Sequence, residues 1–143
     1  MVMYLCHLLM VENGNPDRAV PLLYLTGTAD PLNPIEGGEI HIGPKSFGKK
    51  PATKKMIGKW VKLHACPEKP HLIKDEGGVK GVAYCHPGEP HAVVLYTIEK
   101  HGHHWPGGKS RLPERMVGKN ASKLKATDVI WEFFEEHTLP VRR

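Results

Sequence analysis

Residues 20–26 read Val20-Pro21-Leu22-Leu23-Tyr24-Leu25-Thr26, a short apolar run entered through a proline and closed by Gly27. Apolar side chains at successive positions occupy both faces of a strand, the pattern of a parallel sheet buried between helices. A second run, Ala92-Val93-Val94-Leu95-Tyr96-Thr97-Ile98, has the β-branched and aromatic bias that strands favour. Each run opens into a loop of special composition. Residues 27–38 hold Asp30 among Pro31, Asn33 and Pro34 and close on Gly37 and Gly38. Residues 100–108 hold His101, His103, His104 and Trp105 among glycines. In open α/β sheets ligands bind beyond the carboxyl ends of the strands, so function is expected in these two loops.

Between and after the two runs the pattern changes period. Residues 53–64 place Met56, Ile57, Trp60, Val61 and Leu63 at helical spacing, with Thr53 as the expected N-cap. Residues 72–74 and 79–84 read as two short strands around the turn residues 75–78, and residues 28–50 read as loop. Residues 127–137 predict a helix with Val129, Ile130, Phe133 and Phe134 on one face and Glu132, Glu135 and Glu136 on the other, ended before Pro140. Buried strands alternating with helices predict an α/β fold whose sheet is mostly parallel and flanked by helices.

Composition bounds the functions. A chain of 143 residues suits one domain. It is 40% hydrophobic and 24% charged, which excludes a mostly disordered chain. No stretch reaches the roughly 18 apolar residues of a membrane helix. The apolar opening, residues 1–11, lacks the basic lead-in and small-residue cleavage site of a signal peptide, so it is expected to be a buried element. Net charge is +5, with lysines gathered at residues 45–55 and 119–125, but no aromatics interleave with them to stack on bases. A solvated surface is therefore expected rather than a nucleic-acid site. The three cysteines, Cys6, Cys66 and Cys85, form no C-x-x-C pair, which argues against a structural zinc site.

Asp30 has two readings. A carboxylate at the end of a buried strand can hold an imidazole through its Nδ1–H. The same residue can instead cap its own backbone two residues on, as Asp does in turns. The histidine loop also divides: His101, His103 and His104 could gather about a metal, but adjacent His103 and His104 point poorly at one ion. A general-base histidine held by glycines, with Trp105 beside it, is the better functional reading, and no metal or other cofactor is expected there.

Together the strings G-T-x-D-P…P…G-G and G-H-x-W-P-G-G resemble the polyhydroxybutyrate depolymerase and feruloyl esterase group of α/β-hydrolases. The resemblance runs over residues 18–139 and takes in Trp60 followed by Cys66 and the closing V-I-W-E-F-F helix. It implies the C-terminal portion of an α/β-hydrolase fold, incomplete, as a single partial domain over residues 1–143. It implies a carboxylic-ester hydrolase whose triad acid falls on Asp30 and whose triad histidine falls on His103, with Trp105 at the substrate. The implied substrate is a polyester or a feruloylated sugar. Cys66 and Cys85 match positions that pair in exported members, with two reduced thiols as the alternative. Members of the group are often exported, whereas no export signal is visible here.

One part of the triad is missing. In α/β-hydrolases the serine precedes the acid, yet residues 1–29 contain no serine. Ser46, Ser110 and Ser122 all follow Asp30, and Cys6 lacks the glycines of a nucleophile elbow. The chain alone is expected to be inactive or nearly so. A missing N-terminal half or a second copy of the chain is the expected partner, covering an open strand edge at residues 20–26. The alternative is a non-catalytic hydrolase-like module that binds or self-associates.

Overall fold

The computed structural model describes residues 20–137 apart from residues 111 and 122. The apolar opening, Cys6, Ser122 and Pro140 lie outside the described residues. Among the latter, six strands and three helices follow in the order β1 (Leu22–Gly27), β2 (Gly38–Ile42), β3 (Lys45–Lys50), α1 (Thr53–Leu63), β4 (His71–Glu76), β5 (Val79–Tyr84), β6 (Val93–Ile98), α2 (Glu114–Val117) and α3 (Ala126–Glu136). No helix among them is long and apolar enough to cross a membrane.

The sheet corrects the expected fold class. Four strands pair in the order β1-β6-β5-β4, and β2 and β3 form a separate antiparallel hairpin. Only β1 and β6 run parallel; β5 is antiparallel to both β6 and β4. The chain is thus mostly β with short helices, and it is not a mostly parallel portion of an α/β-hydrolase. The connections give the reason. Parallel neighbours need a crossover of a dozen or more residues. Strands β4 and β5 are joined by the turn Gly77-Gly78, and β5 and β6 by residues 85–92, both too short for a helical return.

The two apolar runs do lie at the centre. All six residues of β1 are buried, and Val93, Val94 and Ile98 of β6 are sealed from solvent. Strand alternation sends Leu22, Tyr24 and Val93 to the face covered by Met56, Ile57 and Val61 of α1. It sends Leu23, Leu25, Val94 and Ile98 to the opposite face, against Leu124, Ala126 and Phe133. Helices thus cover both faces of the parallel pair.

Three local readings change. Thr53 is the first residue of α1, not its cap; Ala52 takes the cap position without a side-chain bond. The stretch read as loop contains the β2–β3 hairpin, in which β2 turns only Ile40 inward, too weak a pattern for alternation to reveal. On α3, Phe133 is buried but Phe134 and Trp131 are exposed, so the apolar face is narrower than the spacing suggests.

Candidate functional site

The parallel register Gly27↔Ile98 brings the loops after β1 and β6 side by side. Their backbones are then laced together. Thr28 N–H donates to the Ile98 carbonyl at 2.9 Å, Ala29 N–H to the His101 carbonyl at 3.0 Å, and Lys100 N–H to Thr28 Oγ1 at 2.8 Å. This approach has no room for side chains at two glycines. A Cβ on Gly27 would stand 2.0 Å from the His101 carbonyl oxygen, and one on Gly102 would stand 2.2 Å from that of Val117.

Asp30 and His103 meet in the seam. The His103 Nδ1–H donates to Asp30 Oδ2 at 2.9 Å. The other oxygen of the same carboxylate, Oδ1, accepts the backbone N–H groups of Leu32 at 2.8 Å and Asn33 at 2.9 Å. Both readings of Asp30 therefore hold at once: one oxygen caps the turn and the turn aims the other at the imidazole. The Asp30 side chain is only 3% exposed while that of His103 is 25% exposed, so the acid is shielded and the ring reaches the surface. With its proton on Nδ1, the ring carries its lone pair on Nε2, the nitrogen a base must offer.

The neighbouring histidines build the loop. His101 is buried; its Nδ1 accepts the Ala121 N–H at 3.1 Å and its Nε2–H donates to the His104 carbonyl at 3.1 Å. Burial holds its basicity below the ordinary histidine range, consistent with a neutral ring whose two nitrogens are both used. His104 Nε2–H donates to the Gly118 carbonyl at 2.7 Å. His103 N–H is itself tied to the Val117 carbonyl at 2.5 Å. These rings hold the loop around His103 rather than converging as metal ligands. Trp105, two residues on, is 46% exposed.

A polar group that the sequence did not reveal lies near enough to feel the Asp30 charge. Lys50, at the buried end of β3, donates through Nζ to Asn33 Oδ1 and to the Tyr24 hydroxyl at 3.4 Å. Burial lowers its pKa from 10.5 to about 8, against the opposing pull of the Asp30 carboxylate. Burial likewise raises the Tyr24 hydroxyl above its ordinary range. No local signal marks Lys50, because only the β2–β3 hairpin carries it there.

Lys50 makes a pH prediction. Its folded pKa lies below its unfolded value, so between about pH 8 and pH 10.5 the unfolded chain binds more protons and stability rises with pH. Below that window the buried charge opposes folding. Urea unfolding at the two ends of the window should show this rise in the native chain and a smaller rise in Lys50→Met. An identical pH dependence in both would contradict a buried ammonium.

The described serines and cysteines lie elsewhere. Ser46 Oγ donates to Glu39 at 2.7 Å on the β2–β3 hairpin, and Ser110 Oγ donates to the Leu112 carbonyl at 3.3 Å. Cys66 and Cys85 are both free thiols; Cys66 Sγ donates to the Tyr84 carbonyl at 3.5 Å. Compared with known proteins, the chain matches no family model, no curated protein and no solved structure.

Proposed function

We propose that Asp30 and His103 are the acid and base of a carboxylic-ester hydrolase whose nucleophile comes from outside the described residues. The observation that carries this reading is the 2.9 Å bond between a buried carboxylate and His103 Nδ1, in a ring that reaches the surface. Asp30 holds the tautomer and stabilises the imidazolium. His103 Nε2 takes the proton of an attacking hydroxyl and returns it to the leaving alcohol. Trp105, two residues on and 46% exposed, offers an apolar surface that suits a polyester or a feruloylated sugar. Among the described residues β1 lies at the edge of the four-stranded sheet, next to the pair. A nucleophile-bearing strand of an N-terminal half would dock there.

Hydrolysis of a p-nitrophenyl short-chain ester tests this. The purified chain, His103→Ala and His104→Gln should all stay at the buffer rate. Adding the nucleophile-bearing half should restore turnover to the native chain and to His104→Gln, whose amide keeps a donor for Gly118, but not to His103→Ala. An assembly that hydrolyses ester regardless of His103→Ala would overturn the proposal. The exposure of Trp105 also suits a second reading, a non-catalytic module binding a sugar or polyester. A complete assembly that binds such a ligand without ever turning over ester would favour it.

A further inference from the structure

At the opposite end of the sheet lies a group that the esterase reading leaves unused. Strand β4 begins at His71, β5 is followed at once by Cys85, and His91 lies two residues before β6. Antiparallel pairing puts the start of β4, the end of β5 and the start of β6 at the same end. The register His71↔Ala83 sets Cys85, two residues further on, diagonally across from His71 on the same face. Strands of six residues separate this end from the Asp30–His103 pair by about 20 Å.

We propose that His71, Cys85 and His91 form a zinc-binding site. One donor atom from each lies within 4.8 Å of the others. Cys85 Sγ stands 3.9 Å from His71 Nε2 and 4.0 Å from its Nδ1, and the His71 and His91 ring centroids are 5.3 Å apart. Tetrahedral zinc, with bonds of about 2.0–2.3 Å, spaces its donors by about 3.5 Å. The three groups therefore need to close by about half an ångström to a little over one, within the reach of partly exposed side chains at strand ends. Imidazole and thiolate are the donors that borderline-soft zinc prefers over magnesium or calcium.

A fourth residue holds one of the rings. His91 Nδ1–H donates to Glu136 Oε2 at 3.1 Å, from the last residue of α3. A carboxylate bonded to one ring nitrogen fixes the tautomer and presents the other, Nε2, to a metal; such partners orient histidine ligands in zinc proteins generally. Glu89 and Glu136 also place negative charge near Cys85. Zinc capture forms a Zn–S bond as the thiol loses one proton to solvent. Cys66 is spoken for by the Tyr84 carbonyl, which leaves the fourth tetrahedral position to solvent. Bound zinc would join the edge strand β4, residues 85–92 and, through Glu136, the end of α3. A Cys66–Cys85 disulfide would consume the same sulfur, so the two chemistries exclude each other at Cys85.

The test is metal titration of the untagged, reduced chain, followed by absorbance with cobalt(II) and by the zinc-dependent shift of the thermal midpoint. One equivalent of cobalt should produce a thiolate charge-transfer band that zinc displaces, and zinc should raise the midpoint. Cys85→Ser should abolish the band, and His71→Ala and His91→Ala should each remove stoichiometric binding. Glu136→Gln should weaken zinc by about 10-fold or more. His103→Ala and Cys66→Ser should leave the band intact. Metal-free circular dichroism separates lost ligation from lost fold. No stoichiometric binding by the native chain, a band that survives Cys85→Ser, or a band lost in a folded Cys66→Ser would each overturn the site.

Discussion

If the proposed ester hydrolysis holds, Asp30→Asn is expected to lower its turnover by about 10,000-fold while leaving the fold in place. The asymmetry follows from how the carboxylate divides its work. Its Oδ1 accepts two backbone N–H groups, from Leu32 and Asn33, and an asparagine Oδ1 can accept the same two. Its Oδ2 accepts the His103 Nδ1–H, and an asparagine would present an N–H₂ there instead. Two donors would then face each other, and the ring would escape by moving its proton to Nε2. A base whose reactive nitrogen already carries a proton cannot take another from a hydroxyl. The tautomer can be read on this chain directly by nitrogen NMR of the imidazoles. The expected result is a proton on Nδ1 of His103 in the native chain and on Nε2 in Asp30→Asn, with an unchanged urea midpoint. A ring with the same tautomer in both proteins would sink the assignment of Asp30 as the orienting acid.

The second large effect is on stability. Gly27→Ala should destabilise the fold by about 3 kcal/mol, a sizeable part of the 5–15 kcal/mol (roughly) that such a domain possesses. The new methyl would meet backbone, not a yielding side chain: it would lie 2.0 Å from the His101 carbonyl oxygen and 2.5 Å from its carbon. Relief requires the loops after β1 and β6 to part, which breaks the Ala29–His101 bond and draws His103 away from Asp30. Gly58→Ala in α1 is the control. Its added methyl meets open space, and alanine is the better helix former by about 1 kcal/mol, so that variant should be slightly more stable. Equal urea midpoints for Gly27→Ala and the native chain would show that the seam is looser than its geometry states.

Much of the candidate site was legible because it is written in short-range chemistry. Runs such as Leu22-Leu23-Tyr24-Leu25 have apolar groups on both faces at a period of two, and burying both faces is the only arrangement that uses them all. Turn formers after each run then mark where a loop begins, and an acid in one and histidines in the other name the chemistry available. The resemblance put the base on His103, and the fold shows what sets it apart from its neighbours. His101, His103 and His104 share one composition and one loop, and their roles differ only in what each nitrogen meets: Ala121 and the His104 carbonyl, Asp30, or the Gly118 carbonyl.

The sheet direction shows the opposite case. A strand buried on both faces looks the same in sequence whether its neighbour runs parallel or antiparallel, because side-chain period does not encode direction. Direction is set by how far the chain must travel between strands, and the short connections at Gly77-Gly78 and residues 85–92 force β4, β5 and β6 to alternate. That alternation is also what gathers His71, Cys85 and His91, whose spacing along the chain resembles no metal motif, and what leaves β1 and β6 as the single parallel pair among the described residues. Lys50 arrives beside Asp30 by the same kind of long-range placement, on a hairpin whose alternation shows only Ile40 facing inward. By itself, then, the sequence determined two buried strands, the helices that cover them and the acid and histidines in the loops at their ends, since each depends on neighbours a few residues away. Tertiary structure alone decided strand direction, what each of the three histidine rings meets, and what lies at the far end of the sheet, because those depend on residues the chain brings together only after it has turned back on itself.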